Sequence, residues 1–207
     1  MLTETYRPKT WADVVGQDKV IKQIDGLRKR GLTGRAYWLS GKSGTGKTTI
    51  ARLLAGDVAS EWDTEEIDAQ SLTTASLREM ERLLAYRGMT GAGGKAIIVN
   101  EAHGLRRDVI RQLLVSLERI PGHATWTFTT TNDGQGQLFE DYDDAGPLLS
   151  RCLPLKLTEQ GLAEPFAQSL WAIAQAIGVA WDLKKCMAVI RECGNNLRAA
   201  IQRLELA

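Results

Sequence analysis

Apolar positions along this chain fall into two alternating rhythms. Val20, Ile24 and Leu27 share one face of a helix that stops near Gly31, and residues 36–40 then form a mostly apolar run with the pattern of a buried strand. Ile50, Leu53, Leu54 and Val58 return to helical spacing from Lys47 onward. A short strand is expected over 66–69, followed by a helix carrying Leu77, Met80 and Leu84. Four glycines within 88–94 predict a flexible turn leading into 96–100, the strongest strand signal and one expected at the centre of a sheet. Leu105, Val109, Leu113 and Leu117 mark another helix, ended by Pro121 and Gly122, and the β-branched run 125–131 predicts a strand. Segment 132–146 turns polar and holds Glu140, Asp141, Asp143 and Asp144. It reads as an exposed acidic loop, with a solvated surface preferred over a cation site. A last strand at 152–157 closes this half of the chain.

From Thr158 only helical spacing remains: Leu162, Phe166, Leu170, Ile173 and Ile177, then Leu183, Met187 and Ile190, then Leu197, Ile201 and Leu204. Strands alternating with helices predict a parallel α/β sheet with crossover helices. The expected division is an α/β domain over 1–157 and a small helical domain over 158–207.

Composition narrows the class. With 207 residues, 43% of them apolar, the chain can bury a real core, which excludes a disordered protein. Lys and Arg number 26 against 25 Asp and Glu, so any nucleic-acid contact must come from a local patch. No apolar run is long enough for a membrane span, and the start MLTETYRPK does not read as a secretory leader. Cys152, Cys186 and Cys193 form no CxxC pair and suggest neither a disulfide framework nor a zinc site. A soluble cytoplasmic protein is expected, with no membrane partner.

The chemistry begins with GKSGTGKT at 41–48, which fits GxxxxGK[ST] between a predicted strand and a predicted helix. Its glycines let backbone N–H groups curl around phosphates, the following helix points its positive end at them, Lys47 adds a charge and Thr48 offers a hydroxyl to Mg²⁺. A glycine-rich helix cap would explain the glycines but not the lysine. The second element is IIVNEAH at 97–103, an apolar strand ending at the sheet edge where α/β proteins bind ligands. Glu101 is placed to polarise an attacking water. Asn100 stands where an acidic partner of the metal is usual; the amide keeps an oxygen but drops the charge, so weaker Mg²⁺ binding or slower hydrolysis is expected. His103 reads as a helix-start residue.

Together these segments resemble the AAA+ ATPases of the clamp-loader kind, close to the small subunit of replication factor C. YRPKTWADVVGQ at 6–17 is similar to the family's nucleotide-base segment, EIDAQ at 66–70 to its second strand, and TTTN at 129–132 to its sensor 1 strand end. Ser150, Arg151 and Cys152 are similar to its arginine-finger motif, and GNNLRAAIQRLE at 194–205 to its sensor 2 helix. The resemblance implies a five-stranded parallel sheet of order 5-1-4-3-2 followed by an all-α lid, with ATP and Mg²⁺ between them. It implies nucleotide contacts from Arg7, Pro8, Val15, Gly16, Gly41, Lys42, Ser43, Gly44, Thr45, Gly46, Lys47, Thr48, Thr49 and Arg198. Thr48 and Asn100 would serve the metal; Lys47, Glu101, Asn132 and Arg151 would be catalytic, Arg151 in trans. For three of these an ordinary role competes: Asn132 as a turn former, Arg151 as a surface arginine, Arg198 as part of a solvated helix face.

Implied partners are copies of the chain or related AAA+ subunits, a sliding clamp, and duplex DNA contacted through Arg106, Arg107 and Arg111, with Arg78, Arg82 and Arg87 on a neighbouring helix. The sequence departs from the family at Asn100, in the longer acidic segment 132–150, and in ending after the lid without the collar that joins clamp-loader subunits. A nucleotide-dependent assembly switch with little hydrolysis, or another AAA+ machine such as a DNA-branch motor or a protein remodeller, remains as an alternative. The six tryptophans are expected in the core or at interfaces.

Overall fold

The computed structural model of the chain describes residues 1–89, 93–141 and 143–207. Five strands, β1 (Arg35–Ser40), β2 (Thr64–Asp68), β3 (Lys95–Asn100), β4 (Ala124–Thr130) and β5 (Cys152–Lys156), form one sheet of order β2-β3-β4-β1-β5. All pairings are parallel, with Ala36 opposite Trp126 and Cys152, and Asp68 opposite Asn100. This is the expected order read from the other edge. The helices are α1 (Leu2–Thr5), α2 (Asp18–Arg28), α3 (Lys47–Gly56), α4 (Thr74–Leu84), α5 (Arg107–Ser116), α6 (Asn132–Asp141), α7 (Ala145–Ser150), α8 (Ala163–Ala176), α9 (Leu183–Glu192) and α10 (Leu197–Glu205).

Because successive strand residues point to opposite faces, each central strand feeds two cores. Ala36 and Trp38 of β1, Ile97 and Val99 of β3, and Trp126 and Phe128 of β4 pack against α4, α5 and α7. Trp38 and Trp126 stack on Phe128 at centroid separations of 5.6 and 6.0 Å. On the other face Tyr37, Leu39, Ala96 and Ile98 meet α2 and α3. Helices α8, α9 and α10 build a third core, which also takes in Leu2, Tyr6 and Val15 from the N-terminal segment. Their ends are set locally: Asp182 and Asn196 cap α9 and α10 by accepting from the Lys185 and Ala199 amides at 2.7 and 3.1 Å.

Three expectations about these elements need correction. The segment 132–146 is not a loop: it forms α6 and leads into α7, because Leu138, Ala145 and Leu148 are buried in the main core and their burial outweighs the turn-forming Asn and Gly residues. Asp144 is half-buried and accepts from Arg111, while the side chains of Glu140 and Asp141 lie outside the described residues. The helix expected from Leu105 begins at Arg107, after a 3₁₀ turn at Ala102–Gly104. Strand β2 runs two residues earlier than expected and ends at Asp68, since an edge strand with no fully buried position carries little apolar signal. Of the tryptophans, Trp38 and Trp126 are buried in the core and Trp62 is 92% exposed. Of the glycine turn at 88–94, residues 90–92 lie outside the described residues, and its base is closed by the Gly88 amide donating to the Gly93 carbonyl at 3.0 Å.

Candidate functional site

The three inner strands end side by side at Ser40, Asn100 and Thr130, and the residues that follow them converge. Residues 41–46 turn from β1 into α3. Gly44 and Gly46 hold φ of +76° and +101°, a region costly for other residues, and Gly46 is the N-cap of α3. The first amides of α3 therefore open toward this turn without intrahelical partners, which makes it a natural anion site. Lys47 folds back over the loop, donating to the carbonyls of Gly41 and Lys42 at 3.0 and 2.9 Å. It is buried, and that burial pulls its pKa down from the usual lysine range, Glu101 and Glu159 opposing the effect and Arg198 adding to it. A phosphate would supply the negative charge that the buried ammonium lacks.

Across from Lys47, Thr48 Oγ1 donates to Asn100 Oδ1 at 3.4 Å, and Thr129 Oγ1 donates to the same oxygen at 3.0 Å. Asn100 Nδ2 donates to Glu66 Oε1 at 2.7 Å. Glu101 holds φ of +51°, a left-handed conformation unusual for glutamate, with its carboxylate 3.5 Å from His103 Nδ1. A hydroxyl, an amide oxygen and nearby carboxylates are the hard oxygen donors that Mg²⁺ takes, so this corner fits the metal. Asn132, the first residue of α6, donates to Glu159, which lies between β5 and α8. Sequence reasoning attached no role to Glu159, and only its acidic character beside a helix start hinted at one.

A cavity of about 480 Å³, within the range of small-ligand pockets, opens between the phosphate turn, the N-terminal segment and the helices α8 and α10. Arg7, Pro8, Val15, Gly44, Thr45, Gly46, Thr49 and Arg198 line it, all of them expected at a nucleotide. Arg7 Nη1 donates to Thr49 Oγ1 at 3.3 Å. Gly16 instead packs against Leu162. Lys42 serves through its carbonyl, which accepts from both Thr45 and Lys47, and Ser43 is exposed on the turn. Buried Gln17, adjacent to the predicted contacts, ties the pieces together: Nε2 donates to the carbonyls of Thr45 and Thr158, and Oε1 accepts from the Thr158 amide at 2.8 Å.

The helix α10 approaches the phosphate turn so closely that a Cβ on Gly44 would meet Asn196 Oδ1 at 1.9 Å. That oxygen is the α10 cap. Gly44→Ala is therefore expected to cost about 1–3 kcal/mol, from the left-handed backbone and the displaced cap, and to lower the melting temperature. An unchanged melting temperature would show that α10 does not rest on this turn.

Arg151 stands elsewhere. It precedes β5, at the opposite end of the sheet from the phosphate turn, and donates to Glu118 and to the Pro147 carbonyl, the latter at 2.9 Å. The expected DNA-facing arginines are paired with acids: Arg106 lies 3.7 Å from Asp108, and Arg107 and Arg111 lie 3.7 and 3.1 Å from Asp144. Arg82 pairs with Glu79, and Arg87 lies beyond the end of α4. Among the described residues no helix is long and apolar enough to cross a membrane.

A glycine-rich phosphate turn after the first strand of a parallel β2-β3-β4-β1-β5 sheet defines a P-loop nucleoside-triphosphatase fold. Within that class the chain belongs to the ATPase family associated with various cellular activities (AAA), whose pattern matches residues 37–152. The clamp-loader resemblance is borne out among its relatives. Over 99% of its length it is 28% identical to DNA polymerase III subunit gamma of Buchnera aphidicola, over its full length 28% identical to DNA polymerase III subunit tau of Escherichia coli, and over 99% of its length 27% identical to the replication factor C large subunit of Methanosarcina mazei. It spans 59%, 34% and 33% of those proteins. A Thermotoga maritima RuvB mutant shares the fold, with a TM-score of 0.75 at 21% identity, covering 97% of this chain and 65% of that one.

Proposed function

We propose that this chain is an ATP-hydrolysing AAA+ subunit of clamp-loader type that works in an oligomer in DNA replication or a related DNA transaction. The observation that carries this reading is the convergence of Lys47, Thr48, Asn100 and Glu101 beside a cavity lined by Arg7, Gly44 and Arg198. In this reading residues 1–157 form the nucleotide-binding domain and residues 158–207 the lid. The amides of the phosphate turn and Lys47 hold the β- and γ-phosphates, Arg7, Pro8, Val15 and Thr49 border the nucleoside side, and Gly16 seats that segment against the lid. Thr48 and Asn100 hold Mg²⁺, which when bound neutralises phosphate charge.

Glu101 accepts a proton from the attacking water, and Asn132 orients that water once ATP draws it away from Glu159. Arg198 covers the phosphates from α10, and Arg151 reaches the nucleotide of a neighbouring copy. The partners are copies of the chain or related AAA+ subunits in the cytoplasm, with a sliding clamp and duplex DNA as further partners; Arg106, Arg107 and Arg111 reach DNA by exchanging Asp108 and Asp144 for phosphates.

The neutral Asn100 favours a second reading, in which ATP holds subunits together and turnover is negligible. Particle mass in solution with and without ATP, measured beside phosphate release, separates the two. Assembly with turnover supports the hydrolysing subunit, assembly without turnover supports the switch, and a nucleotide-bound monomer without turnover overturns both.

A further inference from the structure

An amide at position 100 has two unlike ends: Oδ1 accepts, whereas Nδ2 carries two N–H groups that would oppose a cation. Which end faces Thr48 decides whether Asn100 supports a metal there or repels it. Thr48 and Thr129 do not settle this alone, since a hydroxyl donates to one end or accepts from the other. Glu66 does. Its carboxylate only accepts, and it lies 2.7 Å from Asn100 Nδ2, so a reversed amide would set oxygen against oxygen. Glu66 is itself held by Arg52, with Nε at 2.7 Å and Nη2 at 3.2 Å, and it reaches Asn100 from the neighbouring strand, where Asp68 is registered opposite Asn100.

We propose that Glu66 is a positioning residue: by holding Asn100 Nδ2 it keeps Asn100 Oδ1 turned to Thr48, so that an amide does at the metal side of the site what a carboxylate does unaided. The inference rests on the reading of Thr48 and Asn100 as that metal side. It also predicts that Glu66 matters only while position 100 is an amide, because the two oxygens of a carboxylate are equivalent.

The test is calorimetric titration of the full chain with ATP, in Mg²⁺ and in EDTA, for the parent, Glu66→Ala, Asn100→Asp and the double variant, with Glu66→Gln as an isosteric control. The parent is expected to bind ATP more tightly in Mg²⁺. Glu66→Ala should remove on the order of tenfold of that gain, the usual size for residues that orient metal ligands, and leave affinity in EDTA unchanged. Glu66→Gln should lose part of the gain at the parent's melting temperature. In the Asn100→Asp background Glu66→Ala should cost nothing or improve affinity, since it relieves two facing carboxylates. An equal loss in both backgrounds, or a loss of the same size in EDTA, overturns the assignment of Glu66 alone. A parent whose ATP affinity ignores Mg²⁺ overturns the metal-side reading with it, and a parent that binds no ATP overturns the nucleotide site itself.

Discussion

Lys47→Ala is expected to lower ATP affinity by roughly 10²- to 10⁴-fold, from the loss of two charge-assisted hydrogen bonds at about 1.5–3 kcal/mol each. The fold should survive. Among the described residues the Lys47 ammonium donates to the carbonyls of Gly41 and Lys42, and burial has already pushed its pKa down, so the folded chain disfavours the charge it carries. Removing that charge should leave the melting temperature of the nucleotide-free protein equal to the parent's or slightly above it. The stabilisation that ATP confers on the parent, which grows as the logarithm of ligand concentration over Kd, should vanish at ATP concentrations that saturate the parent but lie below the variant's raised Kd. A folded variant that keeps the ATP-induced rise in melting temperature would place the phosphates elsewhere.

Arg151→Ala is expected to leave ATP affinity of the monomer intact while assembly-dependent hydrolysis falls by ~10³-fold, the scale of an arginine supplied in trans. The sheet register explains the separation. Cys152 lies opposite Ala36, whereas the phosphate turn follows Ser40, opposite Lys156; four residue rises make ~13 Å between the two ends, so Arg151 cannot serve the nucleotide of its own chain. Its contact with Glu118 is a partly exposed ion pair, worth ~0.2–1 kcal/mol, so release toward a neighbour costs little. Mixing Arg151→Ala chains with Lys47→Ala chains should restore part of the hydrolysis, because hybrid interfaces combine an intact pocket with an intact finger. Hybrid assemblies that form and stay inactive, or hydrolysis at the parent rate in Arg151→Ala oligomers of unchanged size, would return Arg151 to an ordinary surface role.

The phosphate turn was legible in the sequence because everything it needs is local. Two glycines with positive φ, a lysine and a hydroxyl lie within eight residues, between an apolar strand and a helix. The apolar faces of α2, α4, α5 and α8 to α10 were legible for the same reason, since a helix that buries one side repeats its apolar residues every three or four positions. The segment 132–146 misled because its turn-forming residues are contiguous, while the residues that make it helical, Leu138, Ala145 and Leu148, act through a core contributed by other parts of the chain.

The sequence by itself determined that a parallel α/β sheet would carry a phosphate turn ahead of a helical segment, because apolar period and loop chemistry are properties of neighbouring residues. Only the tertiary structure decided what surrounds that turn. Glu66 meets Asn100 across 34 residues of sequence, Asn132 meets Glu159 across 27, and Gln17 ties Thr45 to Thr158 across 28 and 141. Such pairings follow from strand order, register and the packing of α10 on Gly44, none of which leaves a periodic trace along the chain; that is why Asn100 reads as a lost charge in the sequence and as an oriented amide in the fold.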